Sequence, residues 1–331
     1  MQCLLAKFFM ETTLKKIAFI TGLFPAISET WMINQVAGLK DRGIEVEVFS
    51  LRRGDTSYIS DTFYKYGMGN YTHYLDMPEN KIRRFVAAIP KALHILTKNP
   101  MALARAFNIK KYGRQALSLE LLFWAEPFVG KNFDLFHCHF GSVANRFLAI
   151  KYVLGLRQKI ITTFYGQDVS KMFQVKGDKF YDELKKECDT FVAMSNYMKK
   201  RLVAKGFDEH KLHVLPIFGI DVNSYPFKER TLKPNETIQI VSVGRFVEKK
   251  GFDDLLRALA IVKTKADKKF ICNIIGGGPL ESRLQAMTKE LDLQDVVSFK
   301  GYMKVEEIIN YFLNMHLYLQ PSKTASDGDQ E

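Results

Sequence analysis

Short apolar runs alternate with longer amphipathic stretches along most of the chain. The runs are IAFITG, VEVFSL, LFHCHF, IITTFY, TFVAMS, HVLPIF, IQIVSVG, FICNIIGGG and VVSFKG. Runs of this length, separated by segments with helical periodicity, are typical of parallel strands that are covered by helices on both faces. The pattern therefore predicts an α/β fold built from doubly wound sheets.

The same order of elements occurs in both halves of the chain. Strand, loop, helix and strand follow one another from residue 16, and the order repeats from residue 238. A polar, aperiodic stretch, PFKERTLKPNE, separates the halves. We predict an extension over 1–15, a first doubly wound domain over 16–225, a linker over 226–236 and a second domain over 237–331. Since ligands of open parallel sheets bind beyond the carboxyl ends of the strands, the site is expected in the cleft between the domains.

Composition narrows the class of protein. The chain has 331 residues of which 47% are hydrophobic, enough for two domain cores. No run of about 18 apolar residues is present, and the first ten residues lack the features of a signal peptide. The four cysteines have no CxxC spacing, which argues against a disulfide framework and against a thiolate metal site. These features predict a cytoplasmic globular protein.

The net charge of +12 is concentrated in one segment. Between residues 80 and 119 there are nine Lys or Arg residues and no acid: Lys81, Arg83, Arg84, Lys91, Lys98, Arg105, Lys110, Lys111 and Arg114. Interspersed apolar residues predict basic amphipathic helices that break near Pro90 and Pro100. One interpretation is a surface for an anionic membrane. The other is a pair of helices that pack their apolar side on the domain and leave their charges solvated. Nucleic acid is not favoured, because no recognised binding module accompanies the charge.

The loop after IQIVSVG has the composition of an anion site. Arg245, Lys249 and Lys250 precede Gly251, where a helix is predicted to begin. Backbone N–H groups at such a helix start attract anions, and Arg245 and Lys250 add positive charge. We predict that Arg245 and Lys250 hold a diphosphate, while the alternative for Lys249 and Lys250 is a solvated turn.

The next strand ends in Gly276, Gly277 and Gly278, followed by Pro279. A dinucleotide-binding loop would have a glycine at position 281 and an acid at the end of the following strand, where this chain has Glu281 and Lys300. A nicotinamide cofactor is therefore not favoured. Tyr302 follows the next strand, where exposed backbone could contact a nucleobase.

Together these segments resemble a known family. GRFVEKKGFDDLLRA, IIGGGPL, FKGYM and LQPS, with FPAISETW, HCHFG, TTFYGQD and AMSNYMKKRL, are similar to retaining glycosyltransferases of family 4, in the branch that makes colanic acid and other exopolysaccharides. The resemblance spans residues 16–331. It implies the GT-B fold, with two Rossmann-like domains, and transfer of a sugar from a nucleotide-diphosphate sugar to a lipid-linked or oligosaccharide acceptor, without a metal or cofactor. The alternatives are a catalytically inactive nucleotide-sugar-binding or membrane-associated protein, and an epimerase or phosphorylase of the same fold.

The resemblance also implies roles for single residues. Arg245, Lys250 and Glu331 would be catalytic, the two cations stabilising the leaving diphosphate and Glu331 reaching the donor sugar. The donor would be bound by Gly278, Pro279, Tyr302 and Ser322. The acceptor side and the cleft would be lined by Ser28, Glu29, Thr30, His139, Tyr165 and Asp168. Tyr165 stands where many members have a histidine, so a polar role can persist there but an imidazole role cannot. Asp168 is predicted to support the cleft.

Two pairs of residues raise the question of a metal. Period two places His137 and His139 on one face of a strand, and Asp327 and Asp329 are spaced like the metal motif of a different transferase fold. No carboxylate is near the histidines in sequence, so packing is the preferred interpretation for them. Asp327 and Asp329 are interpreted as part of a loop, and no metal is predicted.

The end of the chain is unusual for the family that it resembles. There a glutamate, seven further residues and a second glutamate follow the LQPS-like strand; Glu331 fits the first, and the second would lie eight positions on. The expectation from the sequence is a second domain that is incomplete and a chain with little or no transferase activity.

Overall fold

The computed structural model describes residues 14–216 and 225–330, which form two α/β units. The first unit contains residues 14–25, 31–54 and 62–216, and the second contains residues 26–30, 55–61 and 225–330. Each unit is organised around one parallel sheet. Within the described residues, none of the helices combines the length and the apolar character needed to cross a bilayer.

Seven strands form the sheet of the first unit, in the spatial order β3-β2-β1-β4-β5-β6-β7. All neighbouring pairs are parallel. The strands are β1 (Lys16–Thr21), β2 (Glu45–Ser50), β3 (Thr72–Tyr74), β4 (Leu135–His139), β5 (Lys159–Phe164), β6 (Thr190–Ala193) and β7 (Leu212–Val214).

Helices connect these strands. They are α1 (Thr30–Lys40), α2 (Asp61–Lys65), α3 (Lys81–Lys98), α4 (Pro100–Ala106), α5 (Ile109–Tyr112), α6 (Arg114–Leu117), α7 (Glu120–Ala125), α8 (Gly141–Leu154), α9 (Gly166–Val169), α10 (Lys171–Lys176), α11 (Asp182–Glu187) and α12 (Asn196–Ala204). Short 3₁₀ turns occur at Met68–Tyr71, Glu126–Phe128, Asp178–Tyr181 and Glu209–Lys211.

The second unit has a four-stranded parallel sheet in the order β10-β9-β8-β11. Its strands are β8 (Ile238–Val243), β9 (Phe270–Ile275), β10 (Val297–Gly301) and β11 (Leu317–Tyr318). Its helices are α13 (Phe252–Lys265), α14 (Glu281–Glu290) and α15 (Val305–Phe312), and a 3₁₀ turn lies at Glu248–Lys250.

The buried side chains explain why the strands are apolar without alternation. In β1 every residue after Lys16 is buried, because side chains on both faces of the sheet are covered. Beneath the sheet, Phe49 stacks on Phe128 with ring centroids 3.9 Å apart, and Phe147 packs on Phe136 at 4.9 Å. These aromatic contacts belong to one continuous core in the first unit.

The α/β prediction is confirmed, and the nine predicted apolar runs coincide with β1, β2 and β4 to β10. Strand β3 was missed, because three residues within a polar stretch give no periodicity. The predicted break near Pro90 is wrong: α3 continues through Pro90 and ends at Lys98. Burial of Ala88 and Ile95 on either side of the proline helps to offset the lost hydrogen bond.

A break does occur before Pro100, as the sequence predicted. The side chain of Asn99 accepts a hydrogen bond from the backbone N–H of Ala102 at 3.0 Å and so caps α4. Its own backbone N–H donates to the Ile95 carbonyl and closes the last turn of α3. One asparagine thus ends one helix and starts the next.

Candidate functional site

Two loops at the carboxyl ends of β8 and β9 are held against each other by backbone contacts. The N–H of Gly244 donates to the Ile275 carbonyl at 3.0 Å, and that of Phe246 donates to the Gly277 carbonyl at 2.9 Å. A Cβ atom on Gly276, whose φ is 130°, would lie 2.1 Å from the Gly244 carbonyl oxygen. Only glycine allows this approach, so the glycine-rich stretch found in the sequence is what joins the two loops.

Arg245 and Lys250 extend from the first of these loops. Arg245 is exposed and comes directly after Gly244, the residue that follows β8. The Cδ atom of Lys250 lies 3.6 Å from the place that a Cβ on Gly244 would occupy. The aliphatic part of the Lys250 side chain therefore lies beside Gly244, the residue before Arg245. Both cations that the sequence singled out thus lie on the loop that follows β8.

Lys249, the other member of the lysine pair, has a different environment. Its Nζ lies 3.2 Å from the Asp329 carboxylate, and both side chains are largely buried. Nearby, the Ser326 hydroxyl donates to Glu248 at 2.7 Å. These contacts attach residues 326–329 to the 3₁₀ turn, so Asp329 serves as the partner of a lysine.

The start of α13 carries negative charge of its own. Gly251 precedes the helix with φ of 67°, and Asp253 and Asp254 occupy the first turn. Lys323 Nζ lies 2.8 Å from carboxylate oxygens of both aspartates, and Arg257 also pairs with them. These carboxylates already complement the dipole at the start of α13.

The predicted donor-binding residues lie on three loops of the second unit, two of them after the neighbouring strands β9 and β10 and the third after β11, on the other side of β8. Gly278 and Pro279 follow β9, Tyr302 follows β10 and Ser322 follows β11. A Cβ on Gly277 would meet the Tyr302 ring at 2.6 Å, so that ring lies against the glycine-rich backbone and remains 39% exposed. Ser322 accepts a hydrogen bond from the Gln320 side chain at 3.1 Å.

Ser28, Glu29 and Thr30 belong to the segment that groups with the second unit. Burial raises the pKa of Glu29 to about 7, and the positive charge of Arg245 opposes that rise. Ser28 is exposed, and Thr30 begins α1. Of the three residues, Glu29 is thus the one that is electrostatically linked to Arg245.

In the first unit, His139 and Tyr165 lie together at the carboxyl ends of β4 and β5. His139 Nδ1 is 2.9 Å from the Tyr165 hydroxyl, and the His137 and His139 rings are 4.2 Å apart. Burial lowers the pKa of His137 to about 4, while burial and the neighbouring His137 lower the pKa of His139 well below its usual value. Both imidazoles are therefore neutral near pH 7.

Trp31 completes this aromatic group, and the sequence interpretation did not single it out. Its ring centroid lies 4.7 Å from that of Tyr165 and 5.3 Å from that of His139. The signal available in the sequence was its position directly after Ser28-Glu29-Thr30, in the first turn of α1. In the part of the chain that the structure describes, no group of three or more His, Cys, Asp or Glu side chains is arranged to hold a metal ion.

Asp168 is fully buried and joins three separate segments. Its Oδ1 accepts from the Ser142 N–H at 3.3 Å and from the Tyr181 hydroxyl at 3.1 Å, and its Oδ2 accepts from the Tyr165 N–H at 3.2 Å. Burial raises the pKa of Asp168 to about 6, although these hydrogen bonds oppose the rise. The carboxyl group fixes the backbone of Tyr165 against the start of α8. Glu331, the remaining predicted catalytic residue, lies outside the described residues.

Comparison with known proteins identifies the family of the chain. Residues 28–223 match Glycosyltransferase Family 4, and residues 225–328 match Glycosyl transferases group 1. The chain belongs to glycosyltransferase family 4. It is 32% identical to the amylovoran biosynthesis glycosyltransferase AmsK of Erwinia amylovora over 326 residues, which are 96% of this chain and 77% of AmsK.

A second relative of this family 4 glycosyltransferase is the putative colanic acid biosynthesis glycosyltransferase WcaL of Escherichia coli K12. The identity is 31% over 324 residues, with 96% of this chain and 77% of WcaL covered. Among solved structures, Anabaena Alr3699/HepE in complex with UDP-glucose matches with a TM-score of 0.61 at 14% identity, covering 94% of this chain and 75% of that one. WaaG, a glycosyltransferase involved in lipopolysaccharide biosynthesis, matches with a TM-score of 0.55 at 11% identity, covering 93% and 75%. The fold is GT-B, as the resemblance implied.

Proposed function

We propose that this family 4 glycosyltransferase transfers a sugar, with retention of anomeric configuration, from a nucleotide-diphosphate sugar to a lipid-linked or oligosaccharide acceptor in exopolysaccharide biosynthesis. The observation that carries the proposal is that Arg245 and Lys250 lie on one loop after β8, which backbone hydrogen bonds attach to the glycine-rich loop after β9. The names of AmsK and WcaL support an exopolysaccharide product.

The chemistry requires charge stabilisation more than a protein nucleophile. As the bond between the anomeric carbon and the diphosphate breaks, negative charge develops on the leaving oxygen. Arg245 offers a planar fork of N–H donors and Lys250 a compact charge, so the two can offset that charge together. The acceptor hydroxyl attacks from the face that the diphosphate leaves, and its proton passes to the departing phosphate oxygen.

The other proposed contacts follow from the same loops. The exposed face of Tyr302, next to Gly277, is suited to pack against a nucleobase, while Gly278, Pro279 and Ser322 lie on the loops around the diphosphate. Ser28, Glu29 and Thr30 are proposed to line the acceptor side. His139 and Tyr165 are proposed to contact the sugars by hydrogen bonding, with Asp168 fixing the backbone of Tyr165. Glu331 keeps the role that the resemblance gave it, reaching the donor sugar.

Calorimetry with uridine diphosphate tests the diphosphate grip, since Alr3699/HepE was solved with UDP-glucose. Arg245→Ala and Lys250→Ala are each expected to weaken binding by about 1.5 to 3 kcal/mol, the free energy of a charged hydrogen bond. Lys268→Ala, at an exposed lysine elsewhere in the second unit, is the matched control and should bind normally. Unchanged affinity in both site variants would refute the grip.

Product analysis with a radiolabelled UDP-sugar then separates the possible activities. Transfer with retention gives a labelled product in which the new glycosidic bond has the same anomeric configuration as the donor. An epimerase would return an altered UDP-sugar, a phosphorylase would need inorganic phosphate to cleave a glycoside, and an inactive binding protein would give no product.

We also propose that the protein acts in the cytoplasm, peripherally on the inner face of the plasma membrane. A nucleotide-sugar donor and a lipid-linked acceptor meet at such a surface. The support in this chain is the density of positive charge between residues 80 and 119.

A further inference from the structure

Helix α3 presents its apolar side to solvent. Six apolar side chains, between 47% and 77% exposed, fall within about 100° of the helix circumference. They are Ile82, Phe85, Val86, Ile89, Leu93 and Leu96. An apolar stripe of this width normally faces a protein core, so its exposure along the whole helix is unusual.

The opposite side of α3 is attached to the domain by polar contacts as well as by packing. Lys91 Nζ and His94 Nδ1 each lie 2.7 Å from a carboxylate oxygen of Glu126. Arg84 Nε donates to the Pro78 carbonyl at 2.8 Å. These bonds fix the rotation of the helix about its axis, and therefore fix the apolar stripe outward.

The interpretation in which the helices pack their apolar side on the domain is therefore wrong for α3. The side that packs is the narrow one formed by Ala88 and Ile95, between the polar anchors. The wider apolar stripe lies roughly opposite Glu126 and is left uncovered within the described residues.

The exposed surface continues beyond α3. Met101, Phe107, Ile109 and Leu117 are also exposed, each by 47% or more. Seven of the nine cations of this segment are exposed as well: Lys81, Arg83, Lys98, Arg105, Lys110, Lys111 and Arg114. We call these apolar and basic side chains the basic apolar surface. It combines a hydrophobic centre with positive charge and contains no acidic residue between positions 80 and 119.

We infer that the basic apolar surface inserts its apolar stripe into an anionic lipid bilayer, with α3 lying in the plane of the interface. Apolar side chains enter the acyl boundary, while the surrounding cations contact anionic headgroups. The long stems of Lys and Arg allow the charges to remain at headgroup level as the stripe sinks below them.

Charge favours a bilayer over a second copy of the chain. A symmetric dimer through this surface would place the same cations against each other with no acid of the segment to pair with them. An anionic bilayer offers the opposite charge and an apolar layer at the same surface. The inference extends the proposed membrane location, but it needs no sugar transfer, so its failure and the failure of the proposed function are distinguishable.

Liposome flotation of the full chain tests the apolar stripe. The probe is vesicles of phosphatidylcholine, with or without phosphatidylglycerol. The stripe variant is Ile82→Ser/Phe85→Ser/Val86→Ser. The control removes the same three residue types at exposed positions elsewhere, in Ile261→Ser/Phe227→Ser/Val262→Ser. We expect the wild type and the control to float with anionic vesicles, and the stripe variant to stay at the bottom. Because all six positions are exposed, both variants should keep the wild-type Tm.

The charges are tested separately with Arg83→Gln/Lys98→Gln/Lys110→Gln. Its matched control is Arg283→Gln/Lys268→Gln/Lys289→Gln, which removes the same net charge at exposed positions of the second unit. Since each cation near an anionic headgroup changes partitioning about fivefold, the first variant should bind on the order of 100-fold more weakly and the control should bind nearly as well as the wild type. Raising the salt concentration should weaken wild-type binding in the same direction.

Insertion itself is measured by fluorescence quenching. Phe85→Trp places a reporter in the stripe, and Phe227→Trp places one on the exposed surface of the second unit. Bromine-labelled acyl chains are expected to quench additional fluorescence in the first protein and not in the second. Equal flotation with neutral and anionic vesicles, or no loss in the stripe variant, would overturn the inference. So would a dimer, seen by sedimentation, that the stripe variant abolishes while flotation is unaffected.

Discussion

Replacing Asp168 by asparagine is expected to change how the stability of the first unit depends on pH. The side chain keeps its shape but loses its ability to ionise. Burial raises the pKa of Asp168 from 3.8 to about 6 in the folded protein. A raised folded pKa means that the stability contributed by this group is fully present below pH 3.8 and is lost as the pH rises through 6.

The magnitude follows from that pKa and from the hydrogen bonds. Relative to the neutral acid, ionisation of Asp168 lowers the stability of the wild type by about 2 kcal/mol at pH 5 and by about 3 kcal/mol at pH 8. The amide N–H₂ group that Asp168→Asn introduces would face one of the groups that donate a hydrogen bond to the carboxyl group in the wild type. That mismatch costs about 2 kcal/mol relative to the neutral acid, and the cost does not change with pH. Asp168→Asn should therefore be about as stable as the wild type at pH 5 and about 1 kcal/mol more stable at pH 8.

Urea unfolding followed by tryptophan fluorescence is the assay. The chain has two tryptophans, Trp31 and Trp124, and both belong to the first unit, so their emission reports on the unit that contains Asp168. Asp267→Asn, at an exposed position in the second unit, is the control and should leave the curves unchanged. A constant difference between wild type and Asp168→Asn from pH 5 to pH 8 would show that the carboxyl group does not titrate as argued.

Two further predictions concern other parts of the chain. Burial opposes ionisation of Glu47, but hydrogen bonds from Lys131 and others lower its pKa to about 2. Glu47→Gln should cost about 2 kcal/mol at pH 7, and its difference from wild type in thermal unfolding should shrink as the pH falls from 4.5 towards 2; a difference as large at about pH 2.5 as at pH 7 would contradict this. Gly276→Ala would place a Cβ 2.1 Å from the Gly244 carbonyl oxygen, whereas a Cβ on Gly130 would have nothing within 4 Å. Gly276→Ala should therefore destabilise the second unit by about 2 kcal/mol more than Gly130→Ala destabilises the first, and equal losses of Tm in the two variants would count against the loop contact.

Sequence reasoning succeeded where local chain properties decide the outcome. The apolar runs predicted nine strands, because a strand buried on both faces of a parallel sheet leaves a continuous apolar signal. Three successive glycines marked the place where two loops approach, because other residues would collide there. Strand β3 escaped detection because it is short and lies at the sheet edge beside β2, where little apolar surface is needed.

Some features could be named from the sequence but not assigned. Lys249 and Lys250 are adjacent and chemically identical, yet Lys249 is paired with Asp329, which lies 80 residues away in the chain. Nothing local distinguishes them, since the partner of each lysine is set by how residues 326–329 pack on the 3₁₀ turn. The contact between His139 and Tyr165 depends in the same way on the pairing of β4 with β5.

The basic segment shows the same division most clearly. By itself, the sequence indicated helical structure with an apolar stripe in this segment, because periodicity is a local property, although it also predicted a break at Pro90 that the structure does not have. It also determined that the surrounding charge is positive. Only the tertiary structure decided that the stripe faces outward, because periodicity defines the width of an apolar stripe and not the direction in which it points. That direction is set by Glu126, which holds Lys91 and His94 on the inner side of the helix.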